Sequence, residues 1–252
     1  MRRGLAVYAA MAYLFLHAPL LILAAFSFNA SKYTVWEGVS LVWYRALWED
    51  ERLLEAAWNS VLIGCAATVV ATAMGTLAAY AMWKRGARWL EGALFLSLVT
   101  PEVVMGVALL ALYQWVFHFL DVRLGMHTVI AAHVMFSLAY VVVVVMARLR
   151  TMDRSLEEAA LDLGATEAET FWRVTLPRMA PAIGTAALLA FAISFDDYVI
   201  TSLVAGVDSE TLPMLIYTMA RRGVSPAVNA ISTIITVAVG VMILMAERWR
   251  RA

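Results

Sequence analysis

A chain of 252 residues with 63% hydrophobic and only 15% charged residues carries more apolar surface than a water-soluble domain of its length can bury. Its 19 basic and 19 acidic residues cancel, and its single cysteine, Cys65, excludes both an intramolecular disulfide and a cysteine-rich metal site. Lipid is the solvent that this composition requires.

A membrane-spanning helix needs about 20 consecutive, mostly apolar residues. Six stretches meet that requirement, at about 5–28, 57–83, 92–118, 126–147, 181–205 and 227–246. Backbone amides in hydrocarbon must be paired within their own segment or in a closed barrel, so runs this long and continuous predict helices. The expectation is one all-α transmembrane domain over residues 1–252, with a folded loop over 148–178 between the fourth and fifth helices. The first stretch follows Met1-Arg2-Arg3, as a signal peptide would. Its uncharged run from Gly4 to Ser31 is too long for such a leader, and Phe26-Ser27-Phe28-Asn29 is a poor cleavage site, so it reads as the first span.

Basic residues orient the bundle. With the N-terminus in the cytoplasm, the inner segments hold Arg2, Arg3, Lys84, Arg85, Arg88, Arg148, Arg150, Arg154, Arg173, Arg178, Arg248, Arg250 and Arg251, most of the 19. The positive-inside rule then places both termini and the 148–178 loop on the cytoplasmic side.

In that loop Ser155 followed by Glu158, and Thr166 followed by Glu169, have the spacing of capping boxes, in which a hydroxyl and a carboxylate satisfy the free amides that open a helix. Gly164 between them suits a left-handed helix stop, and Pro177 is expected to terminate the second helix. Two short helices around a tight turn result. Ala159 and Ala160 leave a smooth surface, while Leu156, Leu161, Leu163, Phe171 and Trp172 offer apolar anchors. A folded connection that binds nothing is the competing interpretation of the residues alone.

Glu158-Ala159-Ala160, then Gly164, Val174 and Leu176-Pro177, resembles the EAA motif of binding-protein-dependent ABC importer permeases, with valine at Val174 where isoleucine is usual. The resemblance implies a type I importer permease whose loop forms coupling helices. It also implies partners: a homologous second permease subunit, two cytoplasmic ATP-binding subunits and an extracytoplasmic binding protein. ATP and Mg would be bound by the ATPase partner and no cofactor by this chain. The sequence agrees, since a phosphate-binding loop ends in Lys followed by Ser or Thr, whereas Lys32 and Lys84 are followed by Tyr33 and Arg85. No enzymatic constellation and no nucleic-acid signal emerges. His17, His118, His127 and His133 stand singly in or near spans as expected packing or interface residues.

Ionisable residues inside spans are costly, which makes them functional candidates. Glu102 follows Thr100-Pro101 in the third stretch, and Asp196 and Asp197 lie in the fifth, with no lysine or arginine in either stretch. Adjacent residues lie about 100° apart around a helix, so the two aspartates cannot both point into one pore. Carboxylates lining a pathway favour cationic cargo; alternatively, these acids cap broken helix ends or pair across a subunit interface. The stretch Ser194 to Gly206, with Thr211-Leu212-Pro213, Ile216-Tyr217, Gly223 to Ala230, Thr100 to Gly106 and Trp43-Tyr44, is similar to the second permease subunit of spermidine/putrescine importers, departing at Val207-Asp208-Ser209-Glu210. It implies a polyamine path marked by Trp43, Glu102, Ser194, Asp196 and Asp197, in which carboxylates and an aromatic face would meet ammonium groups. Location in a bacterial inner membrane follows. Import of another organic cation or an amino-acid-like solute is the alternative, and an ion-coupled secondary transporter ranks below it. Beyond the path, Thr211 to Gly223 predicts a short outer helix with a threonine cap, a basic last turn and a glycine stop.

Overall fold

The computed structural model describes residues 2–33, 35–120, 122–221, 223 and 226–251, with side chains left out at 2, 3, 88, 120 and 242–251. Its helices are α1 (Arg2–Phe26), α2 (Val42–Glu49), α3 (Glu51–Arg85), α4 (Arg88–Val99), α5 (Glu102–Leu120), α6 (Met126–Arg150), α7 (Ser155–Asp162), α8 (Glu167–Thr170), α9 (Leu176–Asp196), α10 (Val199–Val204), α11 (Leu212–Arg221) and α12 (Pro226–Arg251). Among the described residues, five helical stretches are long and apolar enough to cross a membrane: Gly4–Phe26, Glu51–Arg85, Glu102–Phe119, Met126–Arg150 and Glu167–Asp196. The expected sixth falls on α12, whose described apolar part is Pro226–Val241.

Two of the stretches expected as single spans are broken. The 92–118 stretch is divided between α4 and α5 because Pro101 lacks a donor and forces Thr100 into an extended conformation, ψ 128°. The 181–205 stretch is divided at Asp197, extended at ψ 125°, into α9 and the short α10.

The chain forms two compact units, Met1–Glu55 with Leu215–Ala252, and Ala56–Met214. In the first, α12 packs on α1 and α2. The connection after α1 is organised by buried Asn29: its amide donates to the carbonyls of Tyr33 (3.3 Å) and Val35 (2.8 Å), and its carbonyl accepts from the amides of Ser31 (3.4 Å) and Glu37 (3.0 Å). Every polar group of that side chain is thus satisfied.

In the second unit α9 lies along α6, where Met179, Ala186 and Ala190 meet Val141, Val145 and Leu149, with Ala71, Ala79 and Met82 of α3 completing the cluster. A second cluster joins Leu109 of α5, Val129, Ala132 and Phe136 of α6, and Ile200 and Val204 of α10. Close approach there depends on Gly106, where a Cβ would stand 2.6 Å from Leu203 Cδ1.

A helix is present where one was expected after Thr211, as α11, but Thr211 does not cap it. Among the described residues its buried hydroxyl has no hydrogen-bond partner, and Ser60 Oγ of α3 accepts from the Leu212 amide instead (2.8 Å). Gly223, at φ +124°, supplies the stop. Arg222 of the expected basic turn, and Val224 and Ser225 beyond it, lie outside the described residues.

Candidate functional site

The 148–178 loop opens with Asp153, whose carboxylate accepts from the Ser155 amide (3.0 Å) and is thereby held below the usual carboxylate range. The expected Ser155–Glu158 box is not formed. Arg154 is already helical, φ −70° and ψ −24°, which places Ser155 inside α7 and leaves the opening amides to Asp153 and the Arg154 carbonyl. At its other end α7 closes as predicted. Gly164 adopts φ +87°, its amide donates to the Leu161 carbonyl (2.9 Å), and the Ala165 amide reaches back to Ala160 (3.0 Å), the paired bonds of a Schellman stop.

The second box does form. Thr166 Oγ1 accepts from the Glu169 amide (3.2 Å), and Glu169 accepts from the Thr166 amide and hydroxyl (both 3.0 Å). These donors hold the Glu169 carboxyl below its ordinary range.

Pro177, however, does not end the helix. Phe171–Thr175 form a π turn, and the Leu176 amide bonds back to Phe171, so the chain continues into α9 with proline in its first turn. The wider turn absorbs the missing donor and the ring's clash with the preceding turn.

Glu158, Ala159 and Gly164 are exposed, and so is Pro177; Ala160, Val174 and Leu176 are half-buried. Leu163, at 90%, and Trp172, at 65%, present large apolar surface around them. Glu157, by contrast, points inward toward Lys84 of α3. Sequence reasoning missed this residue, because its partner lies far away in the chain and no local spacing announces it.

The expected path residues fall into different surroundings. Glu102 is exposed in the first turn of α5, where a carboxylate favours the positive end of the helix dipole. Asp196, the last residue of α9, is also exposed. Asp197 turns inward. Its Oδ2 accepts from the Thr201 amide (2.8 Å) and hydroxyl (2.6 Å), its Oδ1 accepts from the Ile200 amide (3.3 Å), and His133 Nε2 stands 3.4 Å away. Asp197 is thus the cap of α10. Ser194 is buried against His133 Nδ1 (2.6 Å), whose other ring nitrogen meets the Thr201 hydroxyl (2.9 Å). His133 ties α6, α9 and α10 together, a buried packing histidine as expected. Trp43 belongs to the other compact unit, where its indole donates to the Asn29 carbonyl (2.9 Å). Among the described residues no group of His, Cys, Asp and Glu could hold a metal ion.

The chain thus joins long apolar helices to an exposed loop of two short capped helices, the arrangement of a multi-pass membrane component. Residues 71–252 match the family described as binding-protein-dependent transport system inner membrane component, and the chain belongs to that family. It is similar to the putrescine transport system permease protein PotI of Escherichia coli strain K12, 43% identical over 239 residues, covering 92% of this chain and 85% of the relative. It is also similar to the spermidine/putrescine transport system permease protein PotC of Haemophilus influenzae, 40% identical over 229 residues, covering 89% and 88%. The fold matches a chain of a bacterial alginate ABC transporter in complex with its pentasaccharide-bound periplasmic protein, with TM-score 0.76 at 16% identity over 99% of this chain and 95% of that one. The MetNI methionine ABC transporter in inward-facing conformations matches with TM-score 0.66 at 14% identity, over 79% and 94%.

Proposed function

We propose that this chain is one permease of a heterodimeric pair, with six membrane-spanning helices and both termini cytoplasmic, in an ATP-driven importer of putrescine and spermidine. Two ATPase subunits, which bind ATP and Mg, dock on the 148–178 loop through Glu158, Ala159, Ala160, Gly164, Val174, Leu176 and Pro177. An extracytoplasmic binding protein delivers the cargo. The observation that carries the reading is the likeness to PotI and PotC over about nine-tenths of the chain. Chemistry supports it: the exposed carboxylates of Glu102 and Asp196 are the groups that a chain bearing two or more ammonium ions requires along a path. Trp43 adds an aromatic face. Asp197 and Ser194 serve the path indirectly, by fixing the break from which Asp196 projects.

The test is to purify the chain with the products of neighbouring genes, reconstitute the complex, and measure ATP-dependent uptake of labelled putrescine and spermidine against amino acids. Polyamine uptake that requires the ATPase is expected. Glu102→Gln and Asp196→Asn should abolish uptake while ATP hydrolysis continues, and normal uptake by both variants would remove the carboxylates from the path. Preference for amino acids would move the cargo to the alternative class, and gradient-driven uptake by the chain without ATPase would replace the importer reading with a secondary transporter.

A further inference from the structure

Three side chains at the end of α3 each grip a different part of the 148–178 loop. Tyr80, Trp83 and Lys84 have the i, i+3, i+4 spacing that places them on one helix face. The Tyr80 ring packs against Phe171 of the π turn, with centroids 4.7 Å apart. The Trp83 ring lies 4.5 Å from the Arg154 guanidinium, which also donates to the Trp83 carbonyl (3.0 Å). The Lys84 ammonium stands 2.5 Å from Glu157 Oε2.

Glu157 has a second partner. Its Oε1 accepts from the hydroxyl of Thr175, a fully buried residue that closes the π turn at the foot of α9. The Glu157 side chain is only 5% exposed. A carboxylate buried to that degree is stable only when its oxygens are paired, and here one oxygen holds α3 and the other holds α9. Glu158, about 100° further round the helix, faces outward. Neighbouring glutamates of α7 therefore face opposite ways, one toward the docking surface and one toward the spans.

We infer that Glu157 is a positioning residue for coupling: with Lys84 and Thr175 it fastens α7 to α3 and α9, so that displacement of the loop by a docked ATPase moves both spans as one body. The inference rests on the importer reading above. On either side α7 joins the chain through turns, at 151–154 and 163–166, and such connections yield more readily than helices. The backbone alone would let α7 shift while the spans stay behind. The carboxylate bridge removes that freedom.

The experiment uses the complete complex in proteoliposomes, with putrescine uptake and ATP hydrolysis measured on the same vesicles. Glu157→Gln and Thr175→Val are each expected to keep binding-protein-stimulated ATP hydrolysis near the unsubstituted level, while uptake per ATP falls by about tenfold. Exchanging the pair, Lys84→Glu with Glu157→Lys, should recover part of that ratio. An unchanged ratio in both single variants overturns the inference. So does a parallel fall of hydrolysis and uptake, which marks lost docking or folding only. Should Glu157→Gln fail to assemble, Thr175→Val, which removes one hydrogen bond from the bridge, decides alone. Absence of ATP-driven uptake in the unsubstituted complex would overturn the importer reading instead, and it is told apart because no substitution is needed to see it.

Discussion

Asp196 and Asp197 are neighbours with opposite surroundings, and the difference predicts opposite consequences of removing them. Asp197→Ala takes the side-chain acceptor from the Thr201 and Ile200 amides, removes the shortest bond of the Thr201 hydroxyl and takes the carboxylate away from the buried His133 ring, a loss of about 3 kcal/mol or more. A marked fall in the thermal unfolding midpoint of the purified protein is expected. His133→Ala should lower it comparably, since it removes the ring that Ser194 and the Thr201 hydroxyl share and leaves a cavity where α6, α9 and α10 meet. Asp196→Asn, at an exposed position, should leave the midpoint within about 0.5 kcal/mol of stability; a fall as large as that of Asp197→Ala would contradict the division. Both aspartates were legible in the sequence as acids within an apolar run. Which of them capped a helix was not, because the answer depends on where α9 ends and on His133, a partner far away in the chain.

Local signals survived best among the helices. The stop at Gly164 and the Thr166–Glu169 box depend on residues within a few positions of one another, and both formed. Pro177 does not stop the helix because the five residues Phe171–Thr175 widen into a π turn, which the identity of the proline alone does not signal. The breaks at 100–101 and 197–198 were hidden inside continuous apolar sequence, to which hydropathy is insensitive. Two glycines separate conformational from steric cost. At Gly164, with open space around a would-be Cβ, Gly164→Ala should cost about 1 kcal/mol through backbone strain alone. At Gly206 a Cβ would lie 1.9 Å from the Leu124 carbonyl oxygen, so Gly206→Ala must displace backbone and should lower the unfolding midpoint distinctly further. The Glu169 carboxyl titrates below its ordinary range, so its contribution to the cap of α8 is complete above that range and disappears as pH falls through the depressed value. The protection of the Thr166 amide against hydrogen exchange, taken relative to the exchange rate of an unstructured amide at the same pH, should fall under strong acidification and stay constant around neutrality.

For the molecule as a whole, the sequence carried the long apolar helices and the family, because span length is a property of long segments that no single contact can override and the family motif is read from residues 158–177 alone. It could not carry the internal ties, such as Glu157 with Lys84, which exist only after distant helices have packed. Topology is open to direct measurement. In a Cys65→Ser background, Leu163→Cys and Val207→Cys lie at sites 90% and 97% exposed. They should react with a membrane-impermeant thiol reagent from opposite sides, Leu163→Cys from the cytoplasm; labelling of both from one side would refute the expected crossing between them. The expected crossing falls on an unbroken helical run. Glu167–Asp196 passes through the π turn without interruption, which at 1.5 Å per residue makes a rod about 45 Å long. Its lower end begins in the capped loop and its upper end is the exposed aspartate. A tilt of roughly 5° pivoted at Glu167 would sweep Asp196 sideways by about 4 Å, close to the width of an extended alkyl chain, so rocking too slight to disturb the lower contacts is magnified at the far face into a displacement on the scale of the cargo itself.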